Sequence, residues 1–352
     1  MRPVQKKMTI QQPSPVTEQS LIQDIANIIG QYRSGTISTT YDTHHVSRWV
    51  NQFQPHEKFL VLEETKRLLR GNYISESIFD LFIDSLYPYL VNVKQFSWSD
   101  ISLLSIQQGG NSQTTMVNKL THSMLYKHSL YTRINDLQAN IFIYLDDFIF
   151  SGGRILQDLR AWIANSAPQV CTLLVATIGY FNYGQHYVQR KLNELIKNSN
   201  KSIQLQFVKY DTSFTKENRF FLKDDSEVFW PMVSATQIPE VVSYLASQDR
   251  PFSFRQPSNN PNRTFSSSRR ELYENILLKY GLQIISYSVA PSPYLKPLGF
   301  DTFDGLGFGS TVFTYRNCPN NCPLVFWWGD PNAPSYSPLS RWYPLLQRDT
   351  YN

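Results

Sequence analysis

Five apolar residues in a row, Ile141-Phe142-Ile143-Tyr144-Leu145, run straight into Asp146-Asp147, and a glycine turn, Ser151-Gly152-Gly153, follows just ahead of Arg154. The apolar run suits a strand buried on both faces, and the glycine turn suits the opening of a helix that reaches to about Ala164. A strand–turn–helix unit with two carboxylates at the strand's carboxyl end is therefore expected. The same grammar surrounds it. Residues 101–106 read as a strand, 107–111 as a loop and 112–126 as a helix, while 171–178, 185–197 and 203–208 read as strand, helix and strand. Strands separated by helices imply a mainly parallel sheet, with ligands at the carboxyl ends of the strands.

The flanks differ from this core. Residues 1–18 are polar and prolyl, which reads as an arm, and 19–94 carry four helical stripes: 21–29, 46–53, 59–69 with Gly71 as its stop, and 75–89. The alternating core is expected over 95–215. Beyond it, 216–352 hold helices near 238–247 and 269–280, a polar linker at 257–268, a strand at 311–315 and a short apolar strand ending at Trp328.

Composition excludes several classes. Lys and Arg number 33 against 28 for Asp and Glu, a net charge of +5 that is mild for 352 residues and unlike a dedicated nucleic-acid binder. The three cysteines, Cys171, Cys318 and Cys322, are too few for a disulfide framework and lack partners for a zinc site. No apolar run reaches the ~20 residues of a membrane span, and the basic N-terminus has no apolar segment after it, so a soluble cytoplasmic protein without membrane contact is expected. His44, His45, His122 and His128 lack carboxylates at metal spacing and read as structural or exposed.

The central segment carries the chemistry. Glycines let backbone approach an anion, and a helix start offers free N–H groups and partial positive charge, so a 5′-phosphate is the natural occupant of Ser151, Gly152, Gly153 and Arg154. Asp146 and Asp147 can accept hydrogen bonds from the 2′ and 3′ hydroxyls of the attached ribose. Adjacent carboxylates repel, so a cationic or hydroxyl-rich partner is required. An earlier loop, Gln108-Gly109-Gly110-Asn111-Ser112, also ends at a helix start and offers N–H groups to an anion; an ordinary turn with Ser112 as cap is the other reading.

Residues 142–154 resemble the PRPP-binding motif of type I phosphoribosyltransferases: four apolar strand residues, two acids, two apolar residues and a hydroxyl-and-glycine phosphate loop. Two positions depart from it. Phe150 stands where Thr or Asp is usual, which removes acid/base help there, and Arg154 stands where Thr is commonest, which adds a bidentate phosphate donor. The resemblance implies a three-layer α/β core with a helical subdomain before it and a tail packed on it. It further implies that Asp146 and Asp147 are the catalytic acids, touching Mg²⁺ indirectly, and that the 108–112 loop takes pyrophosphate, although it lacks the usual Arg or Lys.

The helical front, the 108–112 loop and the tail segment 317–324 ending in Trp327 and Trp328 are similar to divergent phosphoribosyltransferase-like proteins of bacterial conflict systems. Those are associated with anti-phage defence and retron loci, which implies an effector beside a reverse transcriptase and its DNA or RNA. In the tail, Asn317, Asn320 and Asn321 offer amides able to read a base edge, and a structural turn is the alternative. Two functions stay open: an enzyme acting at ribose C1 of PRPP or a nucleotide, and a module that senses such a ligand without turnover.

Overall fold

The computed structural model describes residues 15–109, 112–210, 212–258 and 269–348. Helices α1 (Glu18–Ile29), α2 (Thr43–Val50), α3 (Pro55–Asn72) and α4 (Glu76–Pro88) come first, with strand β1 (Tyr73–Ile74) between the last two. Local chemistry begins each one. Thr17 exchanges hydrogen bonds with Ser20 at the start of α1, Asp42 accepts from the His45 N–H, Pro55 opens α3, and Ser75 accepts from the Ile78 N–H. Gly71 does not end α3 as expected: the helix continues to Asn72, and the Tyr73 N–H still bonds the Leu69 carbonyl as the chain turns directly into β1. Residues 1–14 of the expected arm lie outside the described residues.

The core follows as β2 (Ile101–Leu104), α5 (Ser112–His128), β3 (Arg133–Ile134), β4 (Ile141–Ile149), α6 (Gly153–Asn165), β5 (Val170–Phe181), α7 (Asn182–Asn198), β6 (Ser202–Lys209) and β7 (Thr215–Lys216). These strands form a six-stranded sheet in the order β3-β2-β4-β5-β6, with β7 joined to β5, and every pairing is parallel. β3 escapes sequence reading because two exposed residues carry no periodicity. From β2 the chain moves outward to β3, then crosses to β4 and proceeds the other way, so the loops after β2 and β4 diverge from neighbouring strands. Such a reversal leaves a crevice at the carboxyl ends of the strands. The sheet is the middle of three layers. Leu156, Leu159, Trp162, Val188 and Leu192 of α6 and α7 pack on Phe142, Tyr144, Leu173 and Val175, while Met116 and Leu120 of α5 join the front helices on the Ile143, Leu145 and Leu174 side.

The rest of the chain closes over that second side. It comprises α8 (Pro239–Ala246), α9 (Arg270–Ser286), β8 (Phe313–Thr314) and α10 (Leu324–Trp327), and β8 pairs in parallel with β1 of the helical front. The apolar run ending at Trp328, expected as a strand, is the helical turn α10. Pro323 precedes it at φ −51° and ψ 140°, outside the helical region, and the Trp328 N–H returns to the Leu324 carbonyl at 2.8 Å. Indole N–H groups tie this turn down, with Trp49 and Trp342 both donating to the Val325 carbonyl at 2.9 and 3.0 Å and Trp327 to the Cys322 carbonyl at 2.7 Å.

One buried charge cluster clips the 226–256 region to α9. The Glu274 carboxylate, wholly buried, accepts from Arg255 Nη2 at 2.7 Å, Arg270 Nε at 2.9 Å and the Trp230 N–H at 3.2 Å. Removing it strands two interior guanidinium groups, so Glu274→Ala is expected to cost about 3–5 kcal/mol in urea denaturation. A loss below ~1 kcal/mol would show that the cluster opens to water instead.

Candidate functional site

β2 ends its pairing at Leu104 opposite Tyr144, whereas β4 continues beside β5 as far as Ile149 opposite Tyr180. Asp146 and Asp147 therefore lie on β4 just past the point where its neighbour has stopped. The ladder is irregular there. No β5 residue pairs with Asp147, whose N–H donates instead to Asp146 Oδ1 at 2.9 Å. The alternation of faces slips at the same place: Phe148 joins the cluster of Ile143 and Leu145, whereas strict alternation from Tyr144 would put it in the other.

Asp146 is 6% exposed, and burial pushes its carboxyl well above the usual range, with the Asp147 charge adding to the rise. The Asp147 N–H, the Ser112 hydroxyl and the Arg316 guanidinium pull the other way. Arg316, just after β8, places Nη1 3.6 Å from Asp147 Oδ2 and gives Nη2 to Thr115 Oγ1 at 3.2 Å. The compensating cation that paired acids require thus comes from the far end of the chain. Sequence reading missed it, since a lone arginine after an apolar run carries no signal of what it faces.

The turn after β4 is held by close backbone packing. Gly152 caps α6 at φ 80°, and a Cβ there would lie 2.2 Å from Val188 Cγ2; a Cβ on Gly184, in the first turn of α7, would lie 1.9 Å from the Phe150 carbonyl oxygen. Gly184 is a second residue that sequence reading passed over. No side chain caps α6, so its first-turn N–H groups face the turn at Ser151, Gly152 and Gly153. The Phe150 ring packs on Phe148 and Phe181 at 4.9 and 6.1 Å.

The loop after β2 is knit by two glutamines. Gln113, buried, accepts from the Ile106 and Gln107 N–H groups at 2.7 and 2.9 Å, while Gln107 accepts from the Gln113 N–H at 3.1 Å. Gln113 Nε2 is buried without a partner among the described residues. α6 reaches across to this loop: Arg154 Nη1 donates to the Gly109 carbonyl at 2.6 Å, and Asp158 accepts from the Tyr144 hydroxyl at 2.8 Å and from the Gln108 N–H at 3.5 Å. The structure therefore brings Gln108, Gly109, Ser112 and Arg154 to the acid pair's end of the sheet. Gly110 and Asn111 lie outside the described residues.

Of the three tail asparagines, Asn321 uses its side-chain amide within the fold, while Asn320 and Asn317 make contacts through their backbone carbonyls. Asn321 donates its side-chain N–H to the Phe300 carbonyl at 2.9 Å and the Asn320 carbonyl accepts the Phe300 N–H at 2.7 Å, so both hold the neighbouring loop. The Asn317 carbonyl accepts from the Thr314 hydroxyl at 3.0 Å. His45 is structural, its ring nitrogens within 2.8 Å of the Tyr343 hydroxyl and 2.7 Å of the Leu345 carbonyl. Among the described residues no three His, Cys, Asp or Glu side chains converge. Two adjacent carboxylates without a third still suit Mg²⁺, which keeps several waters and shares its coordination with ligand phosphates.

A parallel sheet between helical layers, with an acid pair on one strand and an uncapped helix start after it, is the framework of a phosphoribosyltransferase-like protein. The family model PRTase-CE matches residues 46–348, and the chain belongs to that family. No curated protein and no solved structure matches it. No helix among the described residues is long and apolar enough to cross a membrane.

The raised Asp146 carboxyl has a consequence for stability. The folded protein keeps a proton that the unfolded chain loses once pH rises above the ordinary carboxylate value, so the folded state is progressively penalised as pH climbs from there. Asp146→Asn removes that penalty. Its melting temperature is expected to exceed the wild type's by on the order of 2 °C at pH 7, about what 1 kcal/mol gives a chain of this size, with the gap narrowing toward pH 4. An equal gap at both pH values would mean that Asp146 is ionised as freely as a surface acid.

Proposed function

We propose that the crevice binds a 5-phosphoribosyl ligand, PRPP or a nucleotide, and that the protein acts at ribose C1 by transfer or cleavage. The observation that carries this reading is the acid pair on β4 beyond the end of β2, Asp146 buried and Asp147 half-buried, followed directly by the uncapped start of α6. In this reading the 5′-phosphate takes the N–H groups after Gly152, and Asp147, with Asp146 sharing a proton, accepts from the ribose 2′ and 3′ hydroxyls. The C1–O bond to diphosphate breaks with its electron pair leaving on the diphosphate, and a nucleophile's lone pair forms the new bond to C1. A carboxylate pair held near the ribose then stabilises positive charge growing at C1. Mg²⁺, held through the acids' waters and the ligand, would neutralise charge on the departing diphosphate.

A defence role, in which this activity depletes nucleotides or modifies a macromolecule beside a reverse transcriptase and its nucleic acid, is the biological setting we attach to the reading. It rests on the likeness of the sequence to conflict-system proteins. One observation favours the sensing alternative: Phe150 packs into an aromatic cluster at a position where no polar side chain can move a proton, leaving binding without assisted chemistry.

Incubating the purified protein with PRPP, Mg²⁺ and a mixture of bases and nucleotides should release pyrophosphate. The double change Asp146→Asn with Asp147→Asn should cut that rate by on the order of 10²-fold or more while ligand affinity falls much less. A wild-type protein that binds PRPP yet leaves it unconsumed, with its partner present, assigns the site to sensing.

A further inference from the structure

The loop after β2 is short of positive charge. Between Ser105 and Asn118 the sequence holds no Lys or Arg, and Lys119 is engaged by Glu76 at 3.1 Å and Asp80 at 2.7 Å. Backbone N–H groups alone hold a multiply charged anion weakly in water, since each contributes a partial charge against several full ones. A diphosphate at this loop needs a cation from elsewhere.

Arg154 is the nearer candidate in sequence, but its Nη1 is held by the Gly109 carbonyl and, at the start of α6, the phosphoribosyl reading gives it to the 5′-phosphate. Arg316 is placed differently. Its Nη2 bonds Thr115 in the first turn of α5, the helix that this loop opens, while Nη1 faces Asp147. The guanidinium thus bridges the acid pair and the start of α5, the two points between which C1 and its diphosphate would lie. It retains donors: among the described residues Thr115 and Asp147 are its polar partners, and the 3.6 Å separation from Asp147 exceeds a direct hydrogen bond. A site wall steadies the group, because it lies over the Phe79 ring at 5.8 Å, and the side chain is 15% exposed.

Resting on the phosphoribosyl reading above, we infer that the C-terminal segment completes the site, with Arg316 as the cation that receives the anionic group carried at C1. Its contact with Asp147 is the one that the ligand exchanges: the ribose hydroxyls take the carboxylate, and the guanidinium turns its free donors to the diphosphate. A 5-phosphoribosyl ligand without an anionic group at C1 gains nothing from Arg316.

The test compares two ligands that differ only there. Full-length wild type, Arg316→Gln and Arg316→Lys are titrated calorimetrically with PRPP plus Mg²⁺ and with ribose 5-phosphate, after circular dichroism and melting confirm folding. Arg316→Gln should lose about 30-fold or more for PRPP and less than about threefold for ribose 5-phosphate, as expected for loss of one charged bidentate contact. Arg316→Lys, which keeps the charge but not the fork, should lose roughly three- to tenfold for PRPP alone. Should Arg316→Gln fail to fold, the lysine variant decides by the same selectivity. Equal losses for both ligands, or none for PRPP, overturn the inference and leave the phosphoribosyl reading intact. Wild-type protein that binds neither ligand overturns both.

Discussion

Two carboxylates side by side at the end of a buried strand cannot be left to themselves, because desolvation and mutual repulsion both disfavour the second charge. Three separate parts of the chain answer that demand here. The Asp147 N–H turns from the ladder toward Asp146, the Ser112 hydroxyl arrives from α5, and Arg316 arrives from beyond β8. Remove the acids and none of these would have reason to converge. A scaffold could fill the same positions with apolar residues at lower cost, and that cost is what the proposed ligand site accounts for.

The two loops flanking the pair are linked to one another as well. Arg154 and Asp158 stand one turn apart on α6, and they grip the Gly109 carbonyl and the Gln108 N–H of the loop after β2. Asp158 also accepts from Tyr144 on the strand that carries the acids, so strand, helix and both loops share one set of contacts. Gly184 lets α7 press against the backbone of the turn from the other side. In the proposed reading, a phosphate entering at α6 would meet a turn already braced, which reduces the ordering cost of binding. Arg154 already gives Nη1 to the Gly109 carbonyl, so the bidentate role expected of it would fall to its other donors or would require that contact to break.

Much of this was legible in the sequence where period and punctuation coincide. The apolar run before Asp146, the glycine turn and the helix after it are local features, and they emerge as β4, the Gly152 cap and α6. The alternation of strands and helices likewise sufficed for a parallel three-layer core. What escaped was non-local. Nothing about Arg316 in its own neighbourhood points to an acid pair at the other end of the domain, and Gly184 looks like any glycine near a helix start until Phe150 is seen beneath it. The turn α10 was misread because four buried apolar residues carry no period; tertiary ties from Trp49 and Trp342 to Val325 accompany the helical form.

The helical front, which holds no chemical motif of its own, acquires a task from the way Arg316 is mounted. β8 ends two residues before that arginine, and its strand partner is β1 of the front: Tyr73 and Ile74 pair with Phe313 and Thr314, and the Tyr315 N–H bonds the Ile74 carbonyl at 2.9 Å. The following carbonyl, of Tyr315, accepts the Arg33 N–H at 2.8 Å from the turn after α1. The residue before Arg316 is thus fastened on both sides by the front, while Phe79 of α4 lies under the guanidinium itself. A shift of the front against the sheet would move the cation relative to Asp147, and it would also be felt on the face of β4 that the front shares through Ile143 and Leu145. Were a partner protein to load the helical layer, the β1–β8 pairing would be a direct route from that layer to the Arg316 charge.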